Sequence, residues 1–587
     1  MSKFPPNKYQ QDIIDWVLNG SGNAIVDAKA GSGKTSTLEL IAQNYERKML
    51  FIAFNKHIAE EINEKPELKP YVTKKTEGGK GTLKVYTVNA LGDMSIRNDL
   101  VKRGLYQKDK DNNFLKDNKL YTILGRQIRA MCATRKIPIK DDMVWDMIKD
   151  LRRVCDKVRE KYLTNDADRA QQIIDEDKLC QFYRIEREDG LSYPLLPWSQ
   201  IVEDALEESM QLYEEKGIYD FTDQIYLPVV KHLYLPPWLA YYSEFIGADE
   251  SQDLSALKLK FLQKLIKMQP QSGYKLPTRF LFVADAFQSI YSFAGADCHS
   301  VENIKRQFKT TELPLNICYR CAKKIVALAQ EWVPTIEAAP DAEEGEIHVI
   351  TNSDIARLAQ PKDMVIARKN KDLAEVFLQI VLEGKPVYIK DKEMIEQAIK
   401  SINNLGCSTI SGLRNRLKEV HKQFIKEMKN PENQRQGSAI NNGAMDIYDM
   451  IEAILEFFIE EKQHSLSTPV DVFITFIQDL FVTEPSDNAV IVSSIHQVKG
   501  LEADRVFIIN YNLMPYTSNF KSSDDNQQER NLIYIAITRA KKVLYCCSGE
   551  MDDAEKDYYH KMSSEEVDSA KSTYEEEYYD VLFEDDE

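Results

Sequence analysis

The sequence lacks any hydrophobic run long enough to cross a lipid bilayer, and its first residues, MSKFPPNKYQQ, lack the apolar segment of a secretory signal peptide. We therefore expect a cytoplasmic protein with no membrane partner. Cysteine is also scarce: nine are scattered over 587 residues, and only Cys318 and Cys321 form a CxxC pair. Because a second CxxC is missing, we interpret these residues as reduced, structural thiols rather than a zinc or redox site.

Positively charged residues are fewer than negatively charged ones, and the net charge is −17. Most of this excess lies at the end of the chain, where residues 551–587 hold fifteen Asp and Glu against three Lys. The rest of the chain is close to neutral and can still carry a basic groove, so the net charge does not exclude a nucleic-acid partner.

Short apolar segments rich in β-branched residues alternate with amphipathic helical patterns. Predicted strands cover residues 24–28, 49–54, 83–88, 279–285 and 505–510. Continuous apolar strands of this kind are typical of parallel sheets covered on both faces by helices. The sequence therefore predicts an α/β fold.

Two long segments interrupt this alternation. Residues from about 95 to 235 and from about 373 to 485 are mostly helical and charged, as in MVWDMIKDLRRVCDKVREKYL. We interpret both as insertions into α/β cores. The acidic end, YEEEYYDVLFEDDE, is too charged to pack as a core element, so we expect a mobile arm.

A glycine-rich segment, AKAGSGKT, follows the first predicted strand and precedes a helix. Small residues there let backbone N–H groups surround a phosphate at the helix N-terminus, while Lys34 reaches the β- and γ-phosphates and Thr35 binds Mg²⁺. The alternative is a glycine-rich turn with an incidental lysine. The loop predicts a nucleotide site made by Ala30, Gly31, Ser32, Gly33, Lys34, Thr35 and Ser36.

An acidic pair completes the chemistry of a nucleoside triphosphatase. In FIGADESQD an apolar segment ends in Asp249, which can hold Mg²⁺ through water, and Glu250, which can deprotonate the attacking water. A solvated acidic turn is the alternative interpretation. Together with the glycine-rich loop, the pair predicts an NTPase.

Further motifs follow in a fixed order along the chain: VADAFQSIYSFAGAD, LNICYRC, SSIHQVKGLEADRVFI and NLIYIAITRAKK. In this order and spacing they resemble the motifs of superfamily 1A DNA helicases, the UvrD/Rep/PcrA group. The match extends from Gln10 to Ala540 and therefore covers most of the chain.

The resemblance assigns roles at the ATP site. Gln10 matches the adenine-reading glutamine, Gln288 the γ-phosphate sensor, and Tyr319 the ring that stacks on adenine. Glu502 matches the carboxylate that contacts ribose. Arg320 and Arg539 match the arginines that reach the γ-phosphate from the second motor domain, where they stabilise the transferring phosphoryl group on closure.

The resemblance also assigns a single-stranded DNA track, in which aromatic rings stack on bases beside contacts to the backbone. The residues that match this track are Phe54, Asn55, Lys56, Thr87, Phe293 and His496. Asp220 and Asp223, in YDFTDQI, match a further family motif ahead of the acidic pair. Tyr516 lies in residues 512–530, which are either a strand-separating hairpin or an ordinary surface loop.

The implied architecture consists of two RecA-like P-loop motor domains with parallel sheets, each carrying a mostly helical inserted subdomain. The expected bounds are 1–95 and 236–308 for the first motor domain and 96–235 for its insertion. The second motor domain covers 309–372 and 486–550, with a small insertion at 373–485 and an acidic tail at 551–587. This second insertion is smaller than in the bacterial repair helicases of the group.

The resemblance implies an ATP- and Mg²⁺-dependent helicase that translocates on single-stranded DNA, 3′ to 5′, and unwinds duplex at junctions. One alternative is a translocase that displaces proteins without efficient unwinding. Another is a nucleotide-gated nucleic-acid-binding module, and RNA is an alternative track. The acidic tail is either a solvating arm or a docking segment for a protein partner or the DNA groove.

Overall fold

The computed structural model describes residues 5–53, 56–72, 77–106, 114–137, 141–161, 167–176, 184–186, 192–194, 196–242, 244–266, 278–290, 299–389, 392–428, 448, 451–452, 454–459, 465–482, 488–516 and 523–549. These residues fall into two compact units. The first includes the described parts of Met1–Gly345, Lys418–Met445 and Thr517–Lys542, and the second those of Glu346–Leu417, Asp446–Tyr516 and the chain from Val543 onward.

The helices are α1 (Lys8–Asn19), α2 (Lys34–Asn44), α3 (Lys56–Glu64), α4 (Lys69–Val72), α5 (Val88–Lys102), α6 (Lys119–Arg135), α7 (Asp141–Glu160), α8 (Ala167–Glu176), α9 (Trp198–Lys216), α10 (Asp223–Val230), α11 (Ala256–Ile266), α12 (Ser300–Phe308), α13 (Lys323–Ala329), α14 (Ile355–Leu358), α15 (Asn370–Leu382), α16 (Lys392–Asn404), α17 (Ile410–Met428), α18 (Val470–Leu480) and α19 (Ser523–Ile537).

The strands are β1 (Asn23–Ala28), β2 (Met49–Ala53), β3 (Leu83–Thr87), β4 (Arg184–Glu186), β5 (Ser192–Pro194), β6 (Phe245–Ala248), β7 (Arg279–Ala284), β8 (Thr310–Leu315), β9 (Ile317–Cys318), β10 (Glu337–Ala338), β11 (Glu346–Thr351), β12 (Met364–Ala367), β13 (Val387–Ile389), β14 (Phe481–Val482), β15 (Val490–Ser494), β16 (Ala503–Ile508) and β17 (Ala540–Ser548).

The first sheet is parallel, with strand order β3-β2-β6-β7-β1-β8. Its side chains alternate between two cores. Ile25 packs into one and its neighbours Ala24 and Val26 into the other, as period-2 strands buried on both faces require. This arrangement confirms the α/β prediction and puts the carboxyl ends of β1, β2, β3, β6 and β7 along one edge.

The second sheet has the order β11-β17-β16-β12-β15-β13-β14. β11 pairs parallel with β17, and β16, β12, β15, β13 and β14 pair parallel in that order. A core of apolar side chains that includes Val365, Phe377 and Val492 packs on it. The chain therefore has two α/β units built on parallel strands, as the sequence predicts.

The region predicted as the first insertion is helical. α6, α7, α8 and α9 pack around a core that includes Leu124, Leu151 and Ile201. The antiparallel pair β4–β5 is an addition that the sequence does not predict.

Three strands extend the sheets beyond the predicted domain bounds. β8 belongs to the first sheet although it follows residue 308, and β13 and β14 belong to the second sheet although both lie within 373–485. β13 and β14 are only three and two residues long, too short for a period-2 pattern to distinguish them from helix.

Candidate ATP-hydrolysis site

The glycine-rich loop joins β1 to α2 at the carboxyl edge of the first sheet. Gly31 and Gly33 have φ values of 66° and 83°, in the left-handed region that glycine tolerates best. A Cβ placed on Gly31 would lie 2.6 Å from the Cβ of Arg320, so the position also needs the smallest residue. Ala30 and Ser32 are buried, Thr35 is half-buried in the first turn of α2, and Ser36 is exposed.

The loop has the features of an anion cradle. The Oγ atom of Ser32 is buried and has no hydrogen-bond partner. α2 begins directly after Gly33, and no side chain caps its N-terminus, so backbone N–H groups remain for a ligand. Buried polar atoms are normally hydrogen-bonded, and a phosphate oxygen would supply the missing acceptor.

The acidic pair follows β6 and faces the loop. Glu250 has a φ of 48°, a left-handed conformation that non-glycine residues adopt at a cost, and its N–H donates to Asp249 Oδ1 at 2.9 Å. The Nζ atom of Lys34 lies 2.8 Å from Glu250 Oε1. The structure thus brings the loop lysine and the predicted general base into direct contact.

Lys34 is charged, and its pair with Glu250 is partly accessible. Burial by itself lowers the pKa of Lys34, but the carboxylates of Glu250, Asp249 and Asp285 outweigh it and the pKa is raised. The side chains of Lys34 and Glu250 are 14% and 21% exposed. The lysine is therefore held as a cation, and its partial exposure lets a nucleotide reach it.

Mg²⁺ in nucleotide sites takes one or two protein oxygens and completes its shell with water and phosphate oxygens. Thr35 and Asp249 are such donors, and the described residues contain no group of three or more His, Cys, Asp or Glu suited to hold a metal. Thr35 and Asp249, together with the unpartnered Ser32 hydroxyl, fit a Mg²⁺ ion that binds as a complex with the phosphates.

Gln288 lies in a short turn after β7 and is buried. Its Nε2 atom donates to Asp285 Oδ2 at 2.7 Å, and the N–H of Asp285 donates to Gln252 Oε1 at 3.0 Å. Burial raises the pKa of Asp285 to about 6, against the opposing effects of Lys29 and Lys34. The amide predicted to sense the γ-phosphate is thus oriented by a buried carboxyl group.

Gln10 and Tyr319 lie together beside the loop. Asn7 caps α1 and exchanges two hydrogen bonds with Gln10, whose Nε2 donates to Thr37 Oγ1 at 3.2 Å. The Nδ2 of Asn7 donates to the Tyr319 hydroxyl at 3.0 Å. The Tyr319 side chain is 52% exposed, so one face of a fixed ring is open for stacking.

The two arginines lie in the first compact unit, whereas the resemblance places them on the second motor domain. The NH1 of Arg320 donates to the Thr538 carbonyl at 3.4 Å. Arg539 is buried, and its Nε donates to the Ile535 carbonyl at 3.0 Å. Arg320 lies in residues 316–345 and Arg539 follows the end of α19, and both of these segments belong to the first unit.

Sequence reasoning missed Tyr534. It is fully buried in α19, and its hydroxyl accepts a hydrogen bond from the Ala30 N–H at 2.9 Å. The Asn531 side chain, one turn earlier, donates to the Ser289 carbonyl at 2.9 Å. The sequence could have indicated them by their position, since both residues lie in the motif NLIYIAITRAKK and are three residues apart, on the same face of a helix.

The predicted DNA-track residues are only partly described. Phe54, Asn55 and Phe293 lie outside the described residues. Lys56 begins α3 after β2, with its side chain 86% exposed and 3.3 Å from Glu60. Thr87 ends β3 and caps α5, accepting from the Ala90 N–H at 3.1 Å. Because β2 and β3 are adjacent, Lys56 and Thr87 share the carboxyl edge of the first sheet.

His496 and Glu502 belong to the second unit. His496 is half-buried in the turns after β15, and Glu502 is exposed just before β16. In the same unit the Tyr516 ring lies 4.0 Å from the Nζ of Lys369, and residues 517–522 lie outside the described residues. The acidic tail, 551–587, also lies outside them.

Asp220 and Asp223 form a buried ion network instead of a reactive site. The NH1 of Arg159, in α7, lies 2.9 Å from Asp220 Oδ1 and 2.7 Å from Asp223 Oδ1, and Lys119 pairs with Asp223. Burial raises the pKa of Asp220, but Arg159 and Lys119 reverse this and lower it to about 2. The network joins α6 and α7 to the start of α10.

No helix among the described residues is long and apolar enough to cross a membrane.

The family comparisons agree with the geometry of the site. The model of the UvrD/REP helicase N-terminal domain matches residues 7–309, and that of the UvrD-like helicase C-terminal domain matches residues 388–550.

Two relatives give shorter alignments. A segment of 106 residues is 38% identical to the ATP-dependent DNA helicase PcrA of Staphylococcus aureus (strain Mu50), covering 16% of this chain and 14% of that protein. The protein of the same name from Staphylococcus epidermidis (strain ATCC 12228) is 35% identical over 106 residues, with the same coverage. The alignments thus span 14% of the length of these relatives. The N-terminal domain model alone covers more than half of the chain, so the chain belongs to the UvrD/REP helicase family.

Proposed function

We propose that the protein is an ATP-dependent DNA helicase that translocates on single-stranded DNA from 3′ to 5′ and unwinds duplex. The observation that carries the proposal is the contact between Lys34 and Glu250, 2.8 Å apart at the carboxyl edge of a parallel sheet. A P-loop lysine beside a carboxylate at that edge is the arrangement required to bind and hydrolyse a nucleoside triphosphate.

ATP is the proposed substrate, with adenine between Gln10 and the Tyr319 ring and phosphates on the loop from Ala30 to Ser36. Thr35 and Asp249 would hold Mg²⁺, which neutralises developing charge on the phosphates when bound. Glu250 takes the proton of the attacking water, and Gln288 orients the γ-phosphate. Arg320 and Arg539 stabilise the transferring group, and Glu502 contacts the ribose.

The proposed track is single-stranded DNA held by Phe54, Asn55, Lys56, Thr87, Phe293 and His496. Stacking rings and phosphate contacts grip any sequence, which a motor must do. For net movement, the nucleotide state must change which domain holds the strand more tightly. The same proposal includes the division into two motor domains, two insertions and an acidic tail. It also includes a cytoplasmic location and a protein partner that binds that tail.

The test is steady-state ATP hydrolysis with single-stranded DNA, RNA, blunt duplex or no nucleic acid. Strong stimulation by single-stranded DNA alone supports the motor. Slow hydrolysis at a rate that nucleic acid does not change would instead indicate a nucleotide-gated binding module. Stimulation by RNA would show that RNA, and not DNA, is the track.

The small second insertion favours a second candidate, a translocase that strips proteins from single strands without efficient unwinding. A strand-displacement assay run beside a protein-displacement assay separates the two. Protein displacement without strand separation would replace the helicase with the translocase.

A further inference from the structure

The CxxC pair lies against the glycine-rich loop. Cys318 ends β9, Cys321 follows three residues later, and both thiols are buried. Between them stand Tyr319 and Arg320, the residues proposed to contact adenine and the γ-phosphate. The Tyr319 N–H donates to the Gly31 carbonyl at 2.9 Å, so the peptide between the cysteines is bonded to the phosphate loop.

The two thiols interact and differ in acidity. The interaction of Cys318 with Cys321 and with the N–H groups of Cys321 and Arg320 lowers the pKa of the Cys318 thiol below its ordinary value. The same interaction, with burial, raises the pKa of Cys321. Burial raises the pKa of Cys155 and Cys546 to about 12, so these two described thiols stay protonated. A thiolate beside a protonated thiol is the arrangement of a nucleophilic and a resolving cysteine.

Joining the sulfurs would disturb the nucleotide site. A Cβ placed on Gly31 would lie 2.9 Å from the Cys318 sulfur, so that sulfur touches the loop, and the Cys321 thiol donates to the Thr538 carbonyl at 3.7 Å. A disulfide needs the sulfurs at about 2.05 Å, closer than hydrogen-bonded thiols. Forming the disulfide removes the proton of the Cys321 thiol and with it the hydrogen bond to Thr538, while the Cys318 sulfur that touches the loop becomes bonded to Cys321.

We propose that Cys318 and Cys321 are a modification site at which a hydroperoxide forms a reversible disulfide that weakens nucleotide binding. The Cys318 thiolate attacks a peroxide oxygen, the O–O bond breaks, and a sulfenic acid and hydroxide result. The Cys321 sulfur then displaces the sulfenic oxygen, which leaves as water. In total, two thiols and hydrogen peroxide give a disulfide and two waters, and a dithiol reverses the step.

This inference rests on the proposed function, because it concerns the proposed ATP site. The experiment treats the full chain with hydrogen peroxide, maps disulfides by mass spectrometry, and measures the affinity for a fluorescent ATP analogue before and after dithiothreitol. We expect a 318–321 disulfide and a loss of about tenfold in affinity, restored by the dithiol.

Cys318→Ser and Cys321→Ser are expected to keep the affinity of the reduced protein and to resist peroxide, whereas Cys546→Ser behaves as the unmodified protein. Absence of the disulfide, or a disulfide with unchanged affinity, overturns the inference. Because wild-type protein is measured in both states, the result does not depend on the variants folding. A reduced protein that binds no ATP analogue instead contradicts the proposed function, while disulfide mapping separately reports whether the pair forms.

Discussion

Two clusters of charged side chains in the described part of the first unit have opposite character. Around Arg159 the cation and both carboxylates are almost completely buried, and each carboxylate is bonded to the arginine. Around Lys34 the lysine and Glu250 remain partly exposed and the neighbouring Ser32 hydroxyl has no partner. Both clusters contain acidic motifs of the family, so motif matching alone does not separate them. The cluster proposed to bind nucleotide differs from the structural ion network in two ways: its charged side chains are partly exposed to solvent, and it contains a buried hydroxyl without a hydrogen-bond partner.

The sharpest test of this difference is Glu250→Gln. Loss of the proposed general base should lower the rate of ATP hydrolysis by about 10²- to 10⁴-fold while nucleotide binding is retained. Steady-state hydrolysis beside equilibrium binding measures both. Lys34→Ala is the comparison, since it should weaken binding itself by removing charge-assisted hydrogen bonds worth about 1.5–3 kcal/mol. Full turnover in Glu250→Gln would remove the assignment.

Arg159→Met tests the structural cluster. It leaves Asp220 and Asp223 buried without their main cation, and we expect a loss of about 3–5 kcal/mol in the free energy of unfolding. Urea denaturation measures this loss. Arg126→Met is the matched control in the same helical region, because its pair with Glu208 is largely exposed and should be worth about 0–1 kcal/mol. Equal effects of the two variants would contradict the comparison.

The two clusters should also respond oppositely to pH. The pKa of Asp285 is raised from 3.8 to about 6, so the folded protein binds its proton more tightly and loses stability as pH rises from about 4 to about 6. The pKa of Asp220 is lowered to about 2, so its contribution is present above about pH 4 and disappears as pH falls toward 2.

Asp285→Asn should therefore remove a decline of up to about 3 kcal/mol between pH 4 and 6, whereas Asp220→Asn should alter the more acidic limb. Urea midpoints across this range report both effects. An unchanged pH profile in Asp285→Asn would show that this carboxyl group does not titrate in the stated window.

The smallest expected effect concerns Tyr534. Tyr534→Phe removes the acceptor of the Ala30 N–H and should cost about 1 kcal/mol of nucleotide binding, roughly fivefold, by loosening the loop. Titration with a fluorescent ATP analogue is the measurement. Tyr545→Phe is the control, since that hydroxyl contacts Arg505 in the second unit. Unchanged or tighter binding in Tyr534→Phe would argue against a role in ordering the loop.

Much of the fold follows from local pattern. The strand predicted at 279–285 is observed at Arg279–Ala284, and that at 49–54 at Met49–Ala53, because buried parallel strands are continuous apolar runs. The strand predicted at 505–510 is observed at Ala503–Ile508 and so begins earlier, because the charged Asp504 interrupts the apolar pattern. Local composition thus determines where strands occur better than where they begin.

The site residues that lie in the quoted motifs could be predicted from the sequence. Lys34 and Glu250, which the sequence assigns to one site, are in contact, and their roles stay predictions. The partners of Asp285 and Tyr534 could not be read from the sequence, because they depend on which segments pack together. The pairing of Arg159 with Asp220 likewise joins α7 to a segment 61 residues further along the chain, and no local pattern encodes such a contact.

The bond between Ala30 and Tyr534 has a consequence for synthesis. Its two ends are 504 residues apart in the chain. At a ribosomal rate of about 5–20 residues per second, the loop waits roughly 25–100 s for its acceptor to be made. The sheet that carries the loop can assemble while translation continues, but the Ala30 N–H obtains this partner only once translation has passed Tyr534. A ribosome-bound fragment that stops before α19 should therefore have the first sheet without the complete nucleotide site.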